Sequence, residues 1–342
     1  MMKAMASWIA ALALALFASP ALAQAKGAVS VETITVHSKA LEGNLEGDSP
    51  DRSVIVYLPP SYAHSKQRRY PVLYGLHGYS IDNVFWAKSM KAQAALDAVF
   101  AAGAPEMIVV LPSGQTIHNG SMFSTSVTIG DYDGFIAHDL VSYIDAHYRT
   151  IADRKSRGLF GHSMGGYGTT RIGMRHPEVW SALYIMSPCC LSARPAPTAD
   201  SMARLMALKT PAESSTLVFA DRTTFAAAAG WSPNPTKPPF YFDLPNGDAA
   251  QQADVLARWA ANAPLSMLSQ YIFNLRQYKA IAIDVGDEDH LKVDAAELHR
   301  LLDESKVENT FELYKGDHTN RVAERFQSKV LPFFAKSLSF PK

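Results

Sequence analysis

Residues 156–188 read SRGLFGHSMGGYGTTRIGMRHPEVWSALYIMSP, and they decide the fold. Residues 157–160 make a short apolar strand ending at Gly161. Residues 167–174 continue a helix that stops near Pro177, and residues 180–186 are another apolar strand. Between the first strand and the helix lies Gly161-His162-Ser163-Met164-Gly165, a G-x-S-x-G string. A chain of this size carries that string by chance about one time in ten, so its setting must supply the specificity. A strand–turn–helix setting does so. It lifts a serine Oγ above the sheet edge on strained backbone, which needs small residues on either side. Ser163 is therefore the expected nucleophile.

The same alternation extends in both directions. Upstream, residues 29–41 and 53–58 read as opening strands ended by Pro59-Pro60, and residues 70–76 as a buried strand running into His77-Gly78. Residues 83–100 carry apolar residues at helical spacing, 106–111 is the next strand, and 131–148 is an amphipathic helix through Phe135, Ile136, Leu140, Ile144 and Tyr148. Downstream, residues 280–285 form a strand, 293–305 a helix and 311–314 a strand. Residues 320–338 form a helix kinked or broken at Pro332. Such alternation predicts a mainly parallel central sheet with helices on both faces. Only residues 189–262 break the rhythm. Pro233, Pro235, Pro238 and Pro239 exclude regular helix or central strand from their stretch. A lid-like insertion is expected there, with Trp231, Phe240, Tyr241 and Phe242 either lining an acyl pocket or forming the insertion's own small core.

A serine hydroxyl needs a base to take its proton, and the base needs a carboxylate to orient it. Residues 280–285 run into Gly286-Asp287-Glu288-Asp289-His290, and residues 311–314 run on to Gly316-Asp317-His318. His318 lies on a loop just before the last helix, where its imidazole can reach Ser163. His299 lies within a helix, and His290 shares the strand end that has to supply the acid. For that acid Asp289 is the first choice and Asp287 the alternative, with Glu288 at the same strand end and Asp284 inside the strand. A tetrahedral intermediate also needs two backbone N–H donors. Met164, directly after the serine, offers one; Tyr79, after His77-Gly78, offers the other, and Gly78 lets the chain come close to the reacting carbon.

Together these residues resemble the esterase family of α/β-hydrolases that includes esterase D (an S-formylglutathione hydrolase), bacterial feruloyl esterase domains, enterochelin esterases and the mycolyltransferases of antigen 85. The resemblance runs from about residue 50 to 335. It is carried by YPVLYGLHGYS at 70–80, the helix around Asp139-Leu140, GHSMGGYG at 161–168 followed by His176-Pro177, and the GDED and GDH strand ends. It implies an α/β-hydrolase fold, with the family's nucleophile, acid and base falling on Ser163, Asp289 and His318 and its oxyanion amides on Tyr79 and Met164. It also implies a serine carboxylesterase that works through an acyl-enzyme. Residues 189–262 match no feruloyl esterase or thioesterase pattern, so the natural ester stays open. An acyltransferase on the same scaffold and a non-catalytic binding protein of the same fold are the rival readings, and an intact Ser–Asp–His set speaks against the second.

Composition bounds the rest. The 342 residues are 48% hydrophobic and 19% charged, which excludes long disorder and coiled coil. With 32 basic against 32 acidic side chains there is no footprint for nucleic acid or an anionic membrane, so a small neutral ester is the expected partner. No cofactor is called for. Residues 1–23 combine Lys3, an apolar run over 8–17, a break at Ala18-Ser19-Pro20 and small residues at Ala21 and Ala23. They read as a secretory signal peptide cut before Gln24, which predicts a periplasmic or extracellular protein. Residues 24–342 are then expected to form a single domain, with the insertion at about 189–262. Adjacent Cys189 and Cys190 are read as two small buried residues after a strand, in preference to a vicinal disulfide or a thiol pair lining the site. They fit no metal spacing, and the DEDH string lacks a second ligand group, so no metal is expected.

Overall fold

The computed structural model describes residues 27–340; the expected signal peptide lies outside them. Eight strands form one sheet: β1 (Ser30–His37), β2 (Asp51–Leu58), β3 (Val72–Leu76), β4 (Ile108–Pro112), β5 (Arg157–His162), β6 (Ala182–Met186), β7 (Ala280–Gly286) and β8 (Thr310–Tyr314). Their spatial order is β1-β2-β4-β3-β5-β6-β7-β8. Pairings β1–β2 and β2–β4 are antiparallel, and every pairing from β4 through β8 is parallel. The α-helices longer than a single turn are α1 (Asn83–Ser89), α2 (Ala92–Ala101), α3 (132–147), α4 (Met164–Arg175), α5 (Ala199–Ala207), α6 (Phe219–Trp231), α7 (Ala249–Ala261), α8 (Lys292–Glu304) and α9 (322–337). Among the described residues no helix is long and apolar enough to cross a membrane.

The central strands read as continuous apolar runs because both faces of the sheet are covered. Along β3, Val72, Tyr74 and Leu76 point into one core, which holds Phe135, Ile136 and Ile144 of α3 and Tyr167 and Ile172 of α4. Leu73 points into the other, with Trp86 of α1, Leu96 and Phe100 of α2, and Phe326 and Phe334 of α9. Since β5, β6, β7 and β8 are parallel neighbours, their C-terminal ends share one edge. The loops that leave that edge carry Ser163, Cys189, Asp289 and His318.

Several expected boundaries shift, each for a local reason. The helix expected over 83–100 is two helices, because Lys91 turns left-handed (φ 51°) between them. Nothing in the apolar spacing marks that break. Helix α9 is not broken at Pro332. A π-turn over Phe326–Val330 widens the helix just before the proline and gives its ring room within the continuous helix.

The larger difference lies in 189–262. Instead of an irregular stretch it holds α5, α6 and α7, and their buried Leu205, Phe225, Val255 and Trp259 join the same core as α3 and α4. The prolines do interrupt regular structure, but only between α6 and α7. The second half of helix α6 escapes the periodicity test because Ala226, Ala227, Ala228 and Ala229 are all buried, so that stretch has no polar face to set the contrast.

Candidate active site

The loop between β5 and α4 is built by two glycines. A Cβ on Gly165 would lie 1.9 Å from the carbonyl oxygen of Leu76, and one on Gly161 would lie 2.2 Å from the carbonyl oxygen of Gly165. Helix α4 thus starts pressed against the end of β3. Ser163, between them, is held at φ 59° and ψ −113°, a region that a residue with a Cβ rarely occupies. Its N–H bonds the Met186 carbonyl of β6, and its own carbonyl accepts from Tyr167 and Cys189. Strain at this position is sustained by three backbone hydrogen bonds.

His318 reaches Ser163 from 155 residues away. Its Nε2 lies 2.9 Å from Ser163 Oγ and its Nδ1 lies 2.7 Å from Asp289 Oδ2. An ionised carboxylate only accepts, so Nδ1 carries the proton and Nε2 is left to accept from the serine hydroxyl. Asp289 is 2% exposed. Burial works to raise its carboxyl, but hydrogen bonds from His318, the Leu291 N–H and Ser187 outweigh that and hold it below the ordinary aspartate range.

The other acids have separate tasks. Asp287 accepts from the Gly316 N–H at 3.0 Å, tying the end of β7 to the loop after β8. Glu288 is exposed, and Asp284 is paired with Arg325 and Tyr184 inside the sheet. Of the other histidines, His290 is exposed at the cavity mouth, with its ring 6.1 Å from that of His318. His299 stacks on Phe311 away from the site.

Two buried histidines hold this geometry, and neither was assigned such a task from sequence. His162 donates from Nε2 to the His318 carbonyl at 2.7 Å. His77 donates from Nδ1 to the Gly78 carbonyl and accepts from the Gly114 N–H at Nε2, both at 2.8 Å, which pins the loop after β3. Burial pushes each of them down to about 4, so both are neutral over the ordinary pH range. In that pinned loop, a Cβ on Gly78 would stand 3.5 Å from Ser163 Cβ. Tyr79 follows, fixed by its hydroxyl to the His118 carbonyl, and the Ser80 N–H bonds Asn119. Met164 opens α4, where first-turn N–H groups lack intrahelical partners and the helix dipole is positive. Nothing around His162 or Ser187 in the sequence signals their contacts, which depend on the packed loops.

These groups open into a cavity of about 370 Å³. Its apolar wall includes Tyr79, Met122, Phe219, Trp231 and Leu291, with Arg194, His290 and Asp294 as charged or polar members. Of the four aromatic residues expected at an acyl pocket, only Trp231 lines this cavity. Phe240 and Phe242 instead pack with Phe225 at ring separations of 5.4 and 5.1 Å and face a different hollow. Tyr241 is turned away by a left-handed backbone (φ 56°), its carbonyl accepting from Thr128. Position decides this: Trp231 ends α6, whereas the other three lie beyond the turn of prolines. Cys189 and Cys190 also depart from expectation. They are half-buried free thiols on the cavity wall, not inert core residues. Elsewhere, His138, His176 and Glu178 bring three potential metal-ligating atoms within 4.8 Å of one another.

Comparison with known proteins agrees with this architecture. A family model described as "Putative esterase" matches residues 49–334. An endo-1,4-beta-xylanase/feruloyl esterase of Xylanibacter ruminicola is 34% identical over 138 residues, which are 39% of this chain and 19% of that protein. Esterase Rv1288 of Mycobacterium tuberculosis is 32% identical over 123 residues, 36% of this chain and 26% of that one. These matches span about a fifth to a quarter of the relatives' own length. Among solved structures, a ferulic acid esterase superposes with a TM-score of 0.65 at 26% identity, covering 92% of this chain and 100% of that one. An S-formylglutathione hydrolase from Staphylococcus aureus shares the fold, with a TM-score of 0.59 at 16% identity, covering 91% of this chain and 99% of the other. With the family match spanning most of the chain, and the same sheet carrying the serine turn, this protein belongs to the esterase family and has the α/β-hydrolase fold.

Proposed function

We propose that the protein is an exported serine carboxylesterase that hydrolyses a neutral ester of an aromatic acid through an acyl-enzyme. The observation that carries this is the chain of two hydrogen bonds from Ser163 through His318 to Asp289, opening into an apolar cavity. His318 takes the serine proton as Oγ attacks the ester carbonyl. Asp289 holds the histidine tautomer and stabilises the imidazolium. The N–H groups of Tyr79 and Met164 bind the oxyanion, His318 returns its proton to the leaving alcohol, and water then releases the acid by the same steps in reverse.

An aromatic acyl group suits the wall formed by Tyr79, Phe219 and Trp231, and two of the similar proteins are named as feruloyl or ferulic acid esterases. Export rests on residues 1–23, and N-terminal sequencing of secreted protein should begin at Gln24. Ser163→Ala should lower kcat on p-nitrophenyl acetate by at least about 10⁴-fold with the circular dichroism spectrum unchanged. The parent protein should prefer methyl ferulate over methyl butyrate by roughly tenfold or more in kcat/KM. Retained turnover in the alanine variant would overturn the proposal. Net ester exchange in place of hydrolysis, once an alcohol is supplied, would move it to an acyltransferase.

A further inference from the structure

The thiols of Cys189 and Cys190 have no place in that mechanism, yet they stand inside its cavity. Their Sγ atoms are 2.8 Å apart, hydrogen-bonded to each other, and the Cys190 backbone is left-handed (φ 61°). The pair is tied to the nucleophile. The Cys189 N–H donates to the Ser163 carbonyl at 3.1 Å, and both side chains line the same cavity. Arg194 lines the same cavity, anchored by Thr223 and Thr224 at 3.0 and 2.7 Å, and its charge favours the thiolate form of both cysteines.

The two sulfurs are unequal. The hydrogen bond between the two sulfurs, and then Arg194, hold Cys190 below the ordinary thiol range against burial, while the same hydrogen bond pushes Cys189 up. Two half-buried thiols in contact, one of them the more readily ionised, are the arrangement that thiol–disulfide exchange requires.

We propose that Cys189 and Cys190 form a redox-modification site within the catalytic cavity, which takes a small disulfide of the glutathione class and closes to a vicinal disulfide. The Cys190 thiolate attacks one sulfur of the disulfide, forming a Cys190 mixed disulfide and expelling the first thiolate. Cys189 then gives up its proton and attacks Cys190 Sγ, expelling the second. Two cysteine thiols and one external disulfide become one internal disulfide and two external thiols; two electrons pass to the reagent, and the two cysteine protons end on the released thiols.

Closure is reversible for a geometric reason. Adjacent Cα atoms lie about 3.8 Å apart across a trans peptide, short of the roughly 4.4–6.8 Å that ordinary disulfides span. The ring is therefore strained and sits at the easily reduced end of the scale. It encloses no loop, so it acts as a switch and not as a staple. Closing it removes the thiol hydrogen beside Ser163 and shifts the peptide that bonds the Ser163 carbonyl. The effect on turnover rests on Ser163 being the esterase nucleophile; closure itself does not.

The test equilibrates the folded protein in glutathione buffers of rising oxidised fraction, quenches with acid, alkylates and reads intact mass together with kinetics. A loss of about 2 Da without alkylation is expected. In step with it, kcat/KM for p-nitrophenyl acetate should fall at least about fivefold and return on adding dithiothreitol. Cys190→Ser should show neither the mass loss nor the kinetic response. An unchanged mass at every ratio, a mixed disulfide that never closes, or closure with unaltered kinetics would each overturn the proposal. Because the mass change needs no turnover, Ser163→Ala should still close the ring. A protein that closes it yet hydrolyses no ester would sink the esterase reading and leave the redox site standing.

Discussion

Asp287 and Asp289 stand two residues apart at one strand end, and side-chain direction alone separates their roles. Asp289 receives His318 Nδ1 and is buried, whereas Asp287 receives a backbone N–H of the neighbouring loop. Asp289→Asn should cut kcat by about 10⁴-fold, because an amide can donate to Nδ1 and stabilise the wrong tautomer. Asp287→Asn keeps an oxygen able to accept from Gly316, so its kcat should stay within about threefold of the parent. Steady-state kinetics on one ester compares the two directly. Ser163 and His318 were legible in the chain because the glycine turn and the GDH loop are local signals. The acid was less so, because Asp287, Glu288 and Asp289 all lie at the required strand end, with Asp289 only the first choice among them.

Among the elements, the contact between β3 and the start of α4 tolerates no added atom. Gly165→Ala would drive a Cβ into the Leu76 carbonyl, which is backbone and cannot swing aside. A loss of about 3 kcal/mol or more in urea unfolding, or no folded protein, is expected. The glycine spacing made this turn readable before any contact was known. The 189–262 segment was less so, since the second half of α6 is alanine-rich and buried all round, and a stretch without a polar face has no period to detect. Its aromatic residues divide by contact. Trp231→Ala should raise KM for an aromatic ester at least about fivefold, since the indole lines the cavity. Phe240→Ala should leave KM unchanged and instead lower stability by about 1–3 kcal/mol, since that ring packs on Phe225 and Phe242. Kinetics and denaturation on both variants separate the two roles.

For the molecule as a whole, acid is the expected weakness. His77, His118 and His162 are buried and neutral, each pushed down by burial to about 4 from an ordinary value of 6.5. Between those values the unfolded chain binds more protons than the folded one. The stability they confer is therefore complete above pH 6.5 and lost as pH falls toward 4, by on the order of 3 kcal/mol per histidine. Glu46, Asp133 and Asp284, raised by burial, act with the opposite sign and offset part of this. A Tm that falls steadily from pH 7 to 4.5, with three imidazoles still neutral at pH 5 by NMR, is expected; a rising Tm would mean the carboxyls dominate. Local chemistry, read from sequence alone, determined the alternation of strands and helices, the serine turn and the histidine loop, because glycine geometry and apolar runs act over a few residues. Tertiary structure decided among the carboxylates for the one that meets His318, and it alone decided which aromatic residue lines the cavity and where the two thiols lie. Those contacts join residues as far as 155 positions apart, and their directions are set by how β5, β7, β8 and α6 pack against one another.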